Sequence, residues 1–199
     1  VPHDVKSLIN LIGERQFIDR LNAGFATSEK VSFNALGDNM GAYPINHGNE
    51  TNMQAAYLFS YTSEPWHTQK WARAIQEKYY GMGPRDAYPG DEDQGQMSSW
   101  YILSSIGLFQ MDGGCSKDPV WLLGSPRFDR VEILLDNTYY SGKKLIIKAE
   151  NVSKDNCYIQ YVRFNNKRLS NNYIEWSKLK KGGTLHFIMG DRPNPNAFK

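Results

Sequence analysis

The spacing of apolar residues changes once along this chain, and that single change limits the fold more than any other feature. Up to about residue 110 the spacing is helical. "DVKSLINLIG" and "RQFIDRLNAGF" predict two short helices divided by Gly13. "ETNMQAAYLFSYT" predicts a third, with Met53, Ala56, Tyr57 and Tyr61 on one face. "PWHTQKWARAIQEKYY" opens with Pro65 near a helix start, where proline is tolerated, and "QGQMSSWYILSSIGLF" is the fifth. After residue 115 the period becomes two: "VWLLG", "RVEILL", "KLIIKAE", "CYIQYVRF", "NYIEW" and "TLHFIMG" predict short strands between polar turns. The expectation is an α+β fold, with a helical part over residues 1–112 and an antiparallel β-rich part over residues 113–199. The "GGCSKDP" stretch is the predicted boundary, because Gly113, Gly114 and Pro119 interrupt both periods.

At 199 residues with 40% hydrophobic content the chain can bury a real core. Its 23 basic and 21 acidic residues are interspersed, so the basic stripe of a nucleic-acid binder is missing and nucleic acid is not an expected partner. No run is long enough to predict a membrane span. The start "VPHDVKSLINLIG" has neither an initiator Met nor a basic leader, which predicts that the chain begins inside a longer protein. Cys115 and Cys157 lack CxxC spacing and predict neither zinc nor a thioredoxin-like site. Twelve Tyr and five Trp suit stacking on sugar rings and equally suit a large core.

Two polar clusters stand out, each where a loop meets a helix. In "AYPGDEDQGQMSSWY" Asp91, Glu92 and Asp93 are adjacent. A helix start favours acidic residues, and Asp91 with Gln94, or Asp93 with Gln96, has capping-box spacing. Capping needs one carboxylate, however, and crowding several favours raised pKa values or a bound cation. In "NHGNETNMQ", His47, Asn49 and Glu50 supply an imidazole, an amide and a carboxylate. That set suits sugar hydroxyls or an oxygen-seeking cation such as Ca2+. The structural alternative is that Asn49 caps the next helix while Glu50 complements its dipole. No G-x-S-x-G, P-loop, dinucleotide-binding or EF-hand pattern is present. Two acidic loops that each open a helix fit the rim of a helical barrel, where glycosidases keep paired carboxylates.

Six stretches together carry a family resemblance: "VPHDVKSLINLIG", "HGNE", "WHTQKWARAI", "YPGDEDQGQMSSWYILSSIGLF", "LGSPRF" and "YIQYVRFNNK". In this order they resemble the C-terminal part of the calcium-dependent exo-α-mannosidases of glycoside hydrolase family 92. The resemblance implies the last helices of an (α/α)6 barrel followed by terminal strands. It also implies an inverting enzyme that removes terminal mannose from glycans outside the cytoplasm, with α-1,2 as the expected linkage. It assigns the general base to Asp93 with Asp91 assisting, sugar contacts to His47 and Asp91, and Ca2+ ligation to Glu50 with Asn49 beside it. The general acid is implied to lie upstream of Val1, in a missing N-terminal part that would be this chain's partner. "TNMQ" follows "HGNE" where family members often carry Pro and a His pair, which leaves linkage preference open. The competing reading is a non-catalytic carbohydrate-binding module formed by the Tyr- and Trp-rich β half.

Overall fold

A computed structural model describes residues 2–35, 39, 41–84, 86–87, 89–90 and 92–199. The chain divides into two compact units, Val1–Ser104 and Ser105–Lys199.

In the first unit Asp4 accepts a hydrogen bond from the Ser7 amide at 3.0 Å and caps α1 (Val5–Ile12). Gly13, at φ +88°, ends α1, and α2 (Glu14–Ser28) follows directly, as the sequence predicted. Val5, Ile9 and Phe17 pack where these helices meet. α3 (Trp66–Lys78) starts after Pro65 and brings Trp71 onto Phe25, the rings stacked 5.2 Å apart. The Trp71 indole N–H donates to Asn22 at 2.8 Å, so a buried polar atom is satisfied. α4 (Gln96–Ser105) completes the unit.

The third predicted helix is not α-helical. Glu50–Asn52 and Ala55–Tyr61 are 3-10 segments, and the hydrogen bonds show why. The buried Trp100 N–H donates to the Met53 carbonyl at 2.8 Å. Tyr57 N–H bonds instead to Gln54 at 2.9 Å, the i to i−3 pattern. A tertiary contact has taken the acceptor that an α-helix would use there.

In the second unit β1 (Leu108–Phe109), β2 (Val120–Leu123) and β7 (Tyr173–Glu175) form one sheet. The other contains β3 (Arg130–Leu134), β4 (Lys144–Glu150), β8 (Gly183–Gly190), β5 (Tyr158–Phe164) and β6 (Lys167–Arg168), in that order. α5 (Trp176–Leu179) is a short turn after β7. Leu145, Ile147 and Ala149 on β4 and Leu185, Phe187 and Met189 on β8 alternate into the core. The edge strand β3 buries none of its residues completely, and its Glu132 is held between Arg130 and Lys144.

Two expectations are corrected. The β part is mixed, because β4 and β8 run parallel, whereas the other pairs are antiparallel. Residues 151–182 separate β4 from β8, long enough for the crossover that a parallel pair requires. The units also divide before Gly113, since Gly107 at φ +82° ends α4 and Leu108–Phe109 pairs with Leu123–Leu122. Cys115 and Cys157 are free thiols. Among the described residues no helix is long and apolar enough to cross a membrane.

The observed register predicts a contrast on β4. Ile147→Ala, at a completely buried position, should cost about 2–5 kcal/mol of stability in thermal or urea unfolding. Ile146→Ala, on the half-buried face, should cost less than half as much as Ile147→Ala in the same measurement.

Candidate active site

The loop ahead of Glu50 is tied down residue by residue. Ile45 N–H donates to the buried Ser28 hydroxyl at 2.9 Å, the Asn46 amide to the Ala35 carbonyl at 3.0 Å, and His47 N–H to the Phe33 carbonyl at 2.9 Å. Asn49 has extended backbone geometry, and its amide oxygen accepts from Thr51 N–H at 3.2 Å and from the Thr51 hydroxyl at 2.9 Å. Both lone pairs of that oxygen are therefore committed to a cap. In this structure that oxygen serves the cap, as the structural alternative for Asn49 expects. Glu50, the next residue, is exposed.

The second loop enters α4 through a left-handed turn. Glu92, Asp93 and Gln94 have φ of +60°, +47° and +59°, and Gly95 follows at +90°. Left-handed backbone costs a non-glycine residue roughly 1–2 kcal/mol, and runs of it collect at functional sites. Asp93 therefore lacks the extended geometry of an N-cap. Glu92 reaches the helix instead, accepting from Ser98 N–H at 3.3 Å, while its other carboxylate oxygen is buried with no hydrogen-bond partner among the described residues. Asp91 lies outside the described residues, and so do its predicted assisting and sugar-contacting roles.

His47 was expected to touch sugar, yet its side chain is 0% exposed. It sits among Trp100 at 4.2 Å, Tyr79 at 5.1 Å and Tyr80 at 5.6 Å between ring centres. Loss of hydration in this box lowers its pKa to about 3, so the ring is neutral. The Tyr80 hydroxyl donates to the Met97 carbonyl at 3.0 Å, so it must accept from His47 Nε2, also at 3.0 Å. The imidazole is thus the Nε2–H tautomer. Burial, followed by the neighbouring Tyr79, Glu92 and Tyr101, pushes the Tyr80 pKa upward and keeps that hydroxyl protonated.

Above this buried layer Asn34, Asn46, Gly48, Asn49, Glu50, Tyr79, Gly90 and Asp93 line a concavity of about 230 Å³. The two loops meet at glycines. A Cβ on Gly48 would lie 2.3 Å from the Tyr79 hydroxyl and 3.6 Å from the Gly90 Cα, and Gly90 itself has φ +64°. Of the predicted residues, the structure brings Asn49, Glu50 and Asp93 to one cavity and puts His47 beneath it. Asn34, Asn46 and Tyr79 were not predicted. The tyrosine pair "YY" just before Gly81, at the end of a helix with buried residues, was the available signal for Tyr79 and Tyr80; Asn34 had none. The described lining offers oxygen donors and amides beside the carboxylates, a surface suited to hydroxyl-rich ligands and hard cations.

The sequence profile of the "Glycosyl hydrolase family 92 catalytic domain" matches residues 1–191. The chain belongs to glycosyl hydrolase family 92. A protein of Arthroderma benhamiae described as an uncharacterized secreted glycosidase is 30% identical over 193 residues, which is 96% of this chain and 22% of that protein. A family GH92 α-mannosidase of Bacteroides thetaiotaomicron in complex with mannoimidazole is similar at TM-score 0.83 and 30% identity, covering 99% of this chain and 25% of that one. The family GH92 inverting mannosidase of B. thetaiotaomicron VPI-5482 aligns at TM-score 0.78 and 30% identity over 100% of this chain and 27% of its own. The family 92 chain described here thus spans about a quarter of the length of these relatives.

The depressed pKa of His47 has a testable consequence. A histidine free in the unfolded chain titrates near 6.5, so below that pH the unfolded state takes up a proton that the folded state refuses until about pH 3. The stabilisation is complete above pH 6.5 and is lost as pH falls through that window. Between pH 7 and pH 5 the loss is on the order of 2 kcal/mol. Urea unfolding at the two pH values should show this drop in the wild type and a smaller one in His47→Gln.

Proposed function

We propose that this chain contributes the general base and a cation-binding carboxylate to an inverting, exo-acting α-mannosidase. The observation that carries the reading is that Glu50 and Asp93, from loops distant in sequence, line one concavity with three asparagines. Asp93 precedes the first turn of α4, where the helix dipole stabilises an ionised carboxylate. In this role Asp93 takes a proton from a water molecule as the water oxygen attacks the anomeric carbon, and the glycosidic bond breaks on the opposite face of the ring. The asparagine amides would hold sugar hydroxyls. His47 acts from below by holding the loop, and Asp91 is proposed to orient the water or a hydroxyl.

The oxygen-rich lining fits Ca2+, with Glu50 as the ligand this chain supplies. Among the described residues no three His, Cys, Asp or Glu side chains group to hold a metal, so waters, sugar hydroxyls or other residues would complete the shell. Held by Glu50, Ca2+ would supply positive charge that polarises sugar hydroxyls and favours the oxocarbenium-like transition state.

The general acid is proposed to come from the rest of a longer protein, along with the remaining helices of an (α/α)6 barrel to which the helical unit would belong. The substrate is proposed to be a mannose-terminated glycan, with α-1,2 linkage the first to test, and the location extracytoplasmic. Kinship to secreted and mannoimidazole-bound relatives supports these two points. The cavity belongs to the helical unit, which favours catalysis over a binding module formed by the β half.

In the full-length parent enzyme, Asp93→Asn should lower kcat on α-1,2-mannobiose by about 10²- to 10⁴-fold or more with the fold intact by circular dichroism. Near-normal turnover would remove Asp93 as the base. Proton NMR of the first product should show β-mannose, and α-mannose would exclude inversion. Glu50→Gln should weaken calcium affinity and activity together, with excess calcium restoring part of the rate. An unchanged calcium requirement would place the ligand elsewhere.

A further inference from the structure

We infer that Tyr79 and Tyr80 form a two-pronged strut that fixes the spacing between the loop bearing Glu50 and the turn bearing Asp93. They are positioning residues for the reaction proposed above, and the inference rests on that reading. Both leave the end of α3, where Tyr79 N–H bonds the Ile75 carbonyl at 2.9 Å, so the helix sets their origin. Their rings stand 5.4 Å apart at 81° and reach different targets. The Tyr79 hydroxyl lies in the notch where the loops touch, 2.3 Å from a Cβ built on Gly48 and 3.5 Å from one built on Gly90. The Tyr80 hydroxyl bonds His47 in the first loop and the Met97 carbonyl in the opening turn of α4, each at 3.0 Å. Tyr80 also stacks on Trp100 of α4 at 5.9 Å and 5°, and Trp100 meets His47. One helix end therefore grips both acidic segments. Tyr79 reaches the cavity wall with only 6% of its surface exposed, and Tyr80 does not line the cavity, so the role argued for both is to hold the two loops. Displacing a reacting group by about 1 Å costs on the order of 10²-fold in rate, which makes loop spacing a catalytic variable.

The geometry of Gly48 supplies a specific test. A methyl group there collides with the Tyr79 oxygen, but its distance to the Tyr79 ring carbon Cζ is 3.4 Å, an ordinary contact. In the full-length parent, Gly48→Ala should lower kcat about 100-fold with a smaller change in KM. Gly48→Ala combined with Tyr79→Phe should recover to the level of Tyr79→Phe alone. A double variant no better than Gly48→Ala overturns the first prong.

For the second prong, Tyr80→Phe should lower kcat at least tenfold on an α-mannosyl fluoride, which needs no general acid. In an Asp93→Asn background the same change should have no further effect, because the residue being aimed is gone. Asn22→Ala, which removes the partner of the Trp71 indole, is the control for stability loss without a change in kcat. Full activity of Tyr80→Phe, or equal losses in both backgrounds, overturns the strut. Full activity of Asp93→Asn alone overturns the proposed base, and the strut with it. Additivity with an inactive Asp93→Asn overturns only the strut.

Discussion

The neutral imidazole of His47 is the constraint on which the described site depends. A buried ring can be neutral or charged, and the box of Trp100, Tyr79 and Tyr80 offers no counter-ion to a charged one. Neutrality fixes one donor and one acceptor on the ring. Because the Tyr80 hydroxyl donates to Met97, the donor has to be Nε2. The result is one directed chain, from imidazole N–H through phenol O–H to backbone carbonyl, joining three segments of the helical unit. Breaking any member leaves a buried polar group unsatisfied at about 1–3 kcal/mol.

Above that chain the backbone carries strain that the burial below can sustain. Three consecutive non-glycine residues in the left-handed region cost roughly 1–2 kcal/mol each. The Glu92 bond to Ser98 returns part of this by satisfying one of the unpaired amides of α4. The three adjacent carboxylates are thus not equivalent. Glu92 serves the helix, while Asp93, one residue further round a tight left-handed turn, lines the cavity. Capping and chemistry were competing readings of one cluster, and adjacent residues divide them.

The strands were the most legible part of the chain, because alternation at β4 and β8 reflects a sheet with one buried face, and Gly13 marked the break between α1 and α2. What failed was set by partners distant in sequence. The 3-10 geometry of 50–61 follows from Trp100 taking the Met53 carbonyl, and the parallel β4–β8 pair follows from a crossover that no local pattern encodes. β1 and β6 have two residues each, too few for a period to register. At the site, the two acidic loops were visible as charge at helix starts. The partition within them was not: Asn49 and Glu50 look alike as oxygen donors until Thr51 is seen to occupy the Asn49 amide oxygen. The burial of His47 was not legible, because a polar residue in a polar loop reads as exposed until the aromatic rings packed around it are seen.

The same division of labour bears on the proton donor. An inverting glycosidase needs its two carboxyl groups about 6.5–9.5 Å apart, on opposite faces of the sugar. Glu92 is adjacent to Asp93 in the chain and already bonded to α4, so it is poorly suited to the opposite face. Glu50 shares the concavity with Asp93, and its exposed carboxylate stands beside asparagine amides, a setting suited to hydroxyls and a cation. A general acid needs a raised pKa, which apolar burial provides. On the proposed reading, the proton donor is therefore to be sought outside the turn that carries Glu92 and Asp93.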